Sequence, residues 1–128
     1  MTRSRKIALA IVFLWFAIGG VAHFVMADSF LKAVPPSLPY RIEAVYISGV
    51  FELLGALGLL VAGLRRRAGI GLFVLTLLVT PANVYMWQHP ELFPMVSEGF
   101  LLVRLGLQAV LLAVILWSTQ PQARYLFR

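Results

Sequence analysis

A chain of 128 residues that is 61% hydrophobic and 12% charged, with a mean hydropathy of +0.90, is not composed like a soluble domain; those carry about a quarter charged residues. There is no cysteine, so disulfide formation and thiol exchange within this chain are excluded. The net charge of +6 invites a nucleic-acid reading, which the placement of the charges removes below.

Length predicts a single domain over residues 1–128. Four apolar runs stand out: Ile7–Met26, Ala44–Leu64, Ala68–Gln88 and Gly99–Ser118. Each is near the ~20 residues a helix needs to cross ~30 Å of hydrocarbon, and none alternates as a barrel strand would. The expected fold is an all-α bundle of four transmembrane helices.

The first run follows Arg3, Arg5 and Lys6, as a cleavable signal would. It is too long for a signal core, and Phe24-Val25-Met26-Ala27 offers no small-x-small cleavage site, so a retained helix is expected. Trp15, Gly19 and His23 are spaced by four and share a face, with Gly20 beside them. His23 falls about one turn from the outer end, where a polar tip reaching the interface is the alternative to a site residue.

The connection from Ala27 to Glu43 predicts a short helix capped by Asp28 or Ser29, with Phe30, Leu31 and Val34 on one side. Pro35 and Pro36 stop it. An interfacial lid over the bundle mouth and a passive amphipathic linker both fit this pattern.

The second run carries one carboxylate, Glu52, in a strip of small residues: Ser48, Gly49, Gly55, Ala56 and Gly58. Small residues mark where another backbone comes close in a membrane bundle, so Glu52 is expected to look inward. Arg65-Arg66-Arg67 then reads as a tight turn into an antiparallel third helix. That helix bears Thr76, Thr80 and Asn83 along one side, with Pro81 inside it, where a freed carbonyl calls for a neighbouring hydroxyl or amide. Tyr85, Trp87 and His89 mark its outer interface, as Trp117 does inside for helix four. The fourth helix opens near Ser97 or Gly99 and contains Arg104 and, one turn on, Gln108.

Eight basic residues (Arg3, Arg5, Lys6, Arg65, Arg66, Arg67, Arg124, Arg128) lie on one side of these spans and two (Lys32, Arg41) on the other. The positive-inside rule then puts both termini in the cytoplasm. It also makes the basic excess a matter of orientation and anionic headgroups, not nucleic acid. The expected location is a bacterial-type cytoplasmic (inner) membrane, crossed several times.

At ~1.5 Å per residue, His23, Glu52, Asn83, Arg104 and Gln108 fall roughly 6–13 Å below the outer surface. Four helices thus each place a polar group in the outer half. A lone charge in lipid costs several kcal/mol, so Glu52 and Arg104, of opposite sign and similar depth, are expected to pair. Gln108 and Asn83 would complete their hydrogen bonds. The candidate ligand site is His23, Glu52, Asn83, Arg104, Gln108 and Tyr85, with Phe16, Phe24 and Phe51 around an apolar tail. Glu52 and His23 are the candidate acid–base groups if a reaction is catalysed. Two histidines on different segments, with no thiolate, do not make a metal site.

Several stretches resemble the DoxX-like membrane proteins. They are Gly19-Gly20-Val21-Ala22-His23-Phe24, Val34-Pro35-Pro36-Ser37-Leu38-Pro39, Ile47 to Gly55, Pro81-Ala82-Asn83-Val84-Tyr85-Met86 and Arg104-Leu105-Gly106-Leu107-Gln108. Gly106 departs from the pattern, where proline is expected. The resemblance implies a small four-helix fold and a common site at His23, Glu52, Asn83, Arg104 and Gln108. It also implies an association with quinone-linked membrane redox systems, with redox subunits as partners; a second copy is the other partner expected, since the glycines of the second run could serve dimer packing as well as packing within the bundle. The expectation is an accessory protein binding a lipophilic molecule, a quinone by that analogy. A structural or chaperone-like interaction protein whose Glu–Arg pair only fixes the bundle is one alternative. A membrane-embedded acid–base enzyme is the other.

Overall fold

The computed structural model describes residues 2–94 and 97–120 of the chain; Arg124 and Arg128, counted above for orientation, lie outside them. Five α-helices and one 3₁₀ turn account for the ordered elements, and no strand occurs among the described residues. The helices are α1 (Arg3–Val25), α2 (Ala27–Leu31), α3 (Arg41–Leu59), α4 (Arg65–Gln88) and α5 (Glu98–Thr119); the 3₁₀ turn is Pro90–Leu92. The four long helices are long and apolar enough to cross a membrane, and only 22–28% of each span is buried inside the molecule. Ile7, Ile11, Leu14 and Ile18 of α1 and Leu102, Val103, Leu107 and Val110 of α5 all face outward. A water-soluble monomer rarely presents contiguous apolar surface on that scale.

Each long helix packs on two others in the cyclic order α1–α3–α4–α5, with α5 closing against α1. Helices α1 and α4 therefore lie diagonally, as do α3 and α5. The α1–α3 pair is the most intimate, because glycine meets glycine there. A β-carbon at Gly49 would stand 2.7 Å from the His23 Cβ and 3.3 Å from the Gly20 carbonyl oxygen; one at Gly20 would stand 2.7 Å from Leu53 Cγ and 3.2 Å from the Gly49 carbonyl oxygen. Further along α3, Gly55 receives Leu72 and Gly58 receives Ala68, both from the α3–α4 contact. The small strip of the second run is thus split between two neighbours. Where no water has to be expelled, such close packing is what holds helices together.

Two apolar cores sit at opposite ends. One gathers Val12, Phe16, Ala56, Leu59, Leu72, Leu111 and Ile115; the other gathers Ala33, Met86 and Leu101. Ala33 belongs to the segment after α2, so that segment reaches across the bundle to α4 and α5. Pro35 accepts from the Leu38 amide at 3.1 Å in a turn, and Tyr40 takes a left-handed conformation (φ 55°, ψ 46°) to enter α3. A non-glycine residue held there costs of order 1–3 kcal/mol.

Helix ends depart from the sequence expectation in three places. The second run ends as helix at Leu59, not Leu64, and the arginine triplet is not the turn. Residues 60–64 make the turn, and Arg65–Arg67 form the first turn of α4. The reason is local: Arg65 Nε donates back to the Leu59 carbonyl at 2.9 Å, satisfying an end group of α3 from the next helix. Neither Asp28 nor Ser29 caps α2, whose N-cap is Met26 without a side-chain bond. Ser97 does cap α5, accepting from the Phe100 amide at 3.1 Å. At the same end as Arg65, Arg5 donates to the Trp117 and Gln120 carbonyls at 3.2 and 2.7 Å, and Gln120 donates to the Arg66 carbonyl at 2.9 Å. Cations at helix C-termini are favourable for the dipole as well.

The glycine crossing makes a clear prediction. Gly49→Ala should lower the unfolding temperature of the solubilised protein, by about 1–3 kcal/mol of overpacking. Gly106→Ala should leave it unchanged or higher, since nothing lies within 4 Å of a β-carbon there. Equal unfolding midpoints for the two variants would contradict the crossing.

Candidate functional site

The α1–α3 crossing delivers His23 to α3. Its Nδ1 lies 2.8 Å from the Val45 carbonyl oxygen, and a carbonyl can only accept, so Nδ1 carries a proton. The other ring nitrogen, Nε2, then lies 3.5 Å from Glu52 Oε2, with both side chains almost wholly buried. This contact is within ion-pair range but outside hydrogen-bond geometry, and Oε2 has no hydrogen-bond partner. Gly19 supplies the room, since a β-carbon there would sit 3.2 Å from Oε2. Phe30 of α2 covers the imidazole, with ring centroids 4.2 Å apart.

The expected Glu52–Arg104 ion pair is not formed. Arg104 donates from Nη1 to the Met86 sulfur at 3.6 Å, and it acts on Glu52 and His23 through space, without direct contact. The physical reason is the cyclic order of the helices. Glu52 and Arg104 share a depth but stand on α3 and α5, across the diagonal, whereas His23 on α1 is adjacent to α3.

Asn83 and Gln108 do not complete a charge pair either. The Asn83 amide donates to Gln108 Oε1, and Gln108 Nε2 donates to the Thr80 hydroxyl and, at 3.5 Å, to the Thr76 carbonyl. Thr80 in turn donates to the Thr76 carbonyl at 2.9 Å. Pro81 sits inside an unbroken α4, and the polar groups do collect around it as expected. They serve the carbonyl of Thr76, one residue before the carbonyl of Leu77 that a proline at 81 leaves without its usual donor. These groups satisfy one another and join α4 to α5.

The remaining candidates scatter. Tyr85 packs on His89 at 4.3 Å, and His89 pairs with the exposed Glu91 at 3.1 Å, at the lid end of the molecule. Trp15 is half-exposed and does not share the inward face of Gly19 and His23. Of the aromatic residues expected around a tail, Phe16 is in the far core, Phe51 faces outward, and Phe24 stacks on Tyr46 at 5.6 Å. The groups that do surround the charged cluster are Phe30 and Met86. Among the described residues no three His, Cys, Asp or Glu side chains gather as metal ligands would.

One residue not singled out as a site group holds the cover in place. Arg41 Nη2 donates to the Leu31 and Val34 carbonyls at 3.0 and 2.9 Å, closing the C-terminal end of α2 from the first residue of α3. The sequence signal was available in principle: a lone arginine on the otherwise poorly basic side, shortly after a short helix and a proline pair.

His23, Glu52 and Arg104 therefore form a charged cluster among three helices, capped by Phe30 and by the Ala33–Met86–Leu101 packing, beside a self-satisfied amide network. Four long helices thus enclose a buried cluster of polar side chains, covered at one end by the short helix. The chain belongs to the family described as domain of unknown function DUF8561, whose model matches residues 9–120, nearly the whole bundle and every residue of the cluster. Comparison with curated proteins and with solved structures gives no match.

Two outcomes test this geometry. A double-mutant cycle of His23→Ala with Glu52→Gln should give a coupling of about 0.5–3 kcal/mol in unfolding free energy, larger than the cycle of Glu52→Gln with Arg104→Ala. The reverse order would restore the diagonal ion pair. Arg41→Ala should speed amide hydrogen exchange over residues 27–40 with little change in α4 and α5; unchanged exchange there would remove the guanidinium's role in holding the cover.

Proposed function

We propose that this is a multi-pass membrane protein with both termini on the cytoplasmic side, and that it binds a lipophilic molecule by its polar head. The cluster of His23, Glu52 and Arg104 is the binding site, and the segment 27–40 is its lid. The observation that carries the reading is the state of the charges. Glu52 Oε2 is buried without a hydrogen-bond partner, and Arg104 has a neutral sulfur as its hydrogen-bond partner. A charge inside a membrane bundle is costly unless paired, and one kept only half-satisfied marks a functional position more readily than a structural one. A pair serving only to fix helix register would be closed, as the Asn83–Gln108–Thr80 network is. The asymmetry of basic residues supports the orientation, and the outward apolar faces support insertion.

The DoxX-like resemblance supplies one candidate, a quinone, and an accessory place beside a membrane redox system; it enters as analogy. The structural reading retains one specific support, the amide network, which ties α4 to α5. In this account that network holds the wall of the site and does not touch the ligand.

Native mass spectrometry of the gently solubilised protein is the test. The parent should retain a lipophilic adduct that an Arg104→Ala variant of unchanged helix content loses. An unliganded parent, beside a variant that merely unfolds at lower temperature, would leave the cluster with a structural role alone.

A further inference from the structure

The geometry assigns a charge to the ligand's head group, an inference that rests on the binding site just proposed. Because His23 Nδ1 already donates to the Val45 carbonyl, the face of the imidazole toward Glu52 is Nε2. Were His23 neutral and Glu52 ionised, a nitrogen lone pair would point at a carboxylate oxygen that has no donor of its own. That arrangement sets a lone pair against an anionic oxygen and leaves that oxygen without a hydrogen bond, which is expensive. One proton therefore belongs between Nε2 and Oε2. Whether it rests on the imidazole or on the carboxyl group, the pair as a whole is neutral.

Among the described side chains, Arg104 is then without a compensating contact. Its guanidinium is charged at any ordinary pH, its hydrogen-bond partner is the uncharged Met86 sulfur, and no carboxylate stands within ion-pair distance of it among the described side chains. Asp28 and Glu43 are exposed at the lid end, and Glu91 is exposed and engaged with His89. A neutral pair plus one guanidinium leaves the cluster one net positive charge, in surroundings where a lone charge is costly.

We infer that the site takes a monoanionic amphiphile, a molecule with one carboxylate or phosphate-type head group and an apolar tail. The anion lies on Arg104, beside the neutral His23–Glu52 pair. A planar guanidinium offers two parallel N–H donors to such a head group. Neutral heads leave the charge unmatched, and cationic heads add to it.

The full-length protein in nanodiscs of zwitterionic phosphatidylcholine, titrated with radiolabelled palmitate, tests this. Hexadecanol, a short-chain quinone analogue, hexadecyltrimethylammonium and acetate serve as competitors. The expected result is saturable palmitate binding that none of the four displaces at equal concentration. Arg104→Gln should weaken binding at least tenfold and Arg104→Lys less, the latter keeping the charge if the former does not fold. Displacement by hexadecanol or the quinone analogue as effective as by palmitate itself would overturn the anionic assignment while leaving a lipophile site standing. Displacement by acetate would show a free-anion site and overturn the amphiphile. Displacement by the ammonium would reverse the charge. Absence of saturable binding by any long-chain compound would overturn both this inference and the reading on which it rests.

Discussion

The meeting of Gly20 with Gly49 is the constraint on which the rest depends. Only where neither residue has a β-carbon can α1 and α3 come together closely enough for a side chain of one to reach the backbone of the other. His23 then bonds to the Val45 carbonyl, and that bond fixes which nitrogen faces Glu52. In a bundle whose outer faces are apolar, such close contacts do the work that burial of apolar surface does in water. The choice of partner for a carboxylate in the middle of the molecule thus begins with two hydrogens in place of two methyl groups.

The two ends of the bundle are closed by arginines used in the same manner. Arg65 and Arg5 satisfy carbonyls at the ends of α3 and α5, and Arg41 does so for the short α2. Each combines a hydrogen bond with a favourable place on a helix dipole. At the end that carries α2, holding this short helix down keeps Phe30 on the His23 ring. Arg104 is the exception among these arginines: no backbone carbonyl of the described residues accepts from it, and it stands inside the bundle.

Much of this was legible in the chain. Hydropathy located four long helices within a few residues, and the strip of small residues around Glu52 did mark close backbone approach; the short helix ends at Leu31, ahead of the proline pair expected to stop it. Polar groups from four helices do meet in neighbouring contacts, His23 with Glu52 and Asn83 with Gln108. What the sequence withheld was the angular coordinate. Glu52 and Arg104 agree in depth, but the order α1–α3–α4–α5 sets them across a diagonal, and nothing in a linear pattern encodes that order. The same ignorance assigned Gln108 to a charge pair when its neighbours are Thr80 and Asn83 on the adjacent helix. Helix ends were missed where the satisfying group came from another element, as with Arg65 reaching back to Leu59.

Glu52 held by His23, through an imidazole locked by Val45, with Arg104 left for a ligand, is the arrangement proposed above. Nitrogen-15 NMR of the histidine side chains in bilayer-embedded protein tests it most directly, since the chain has only two histidines and His89→Gln identifies the signals. The prediction is a His23 ring protonated at Nδ1, whose Nε2 signal moves markedly in Glu52→Gln and only slightly in Arg104→Gln. A His23 ring bare at Nδ1, or one indifferent to the loss of the Glu52 carboxylate, would contradict the account.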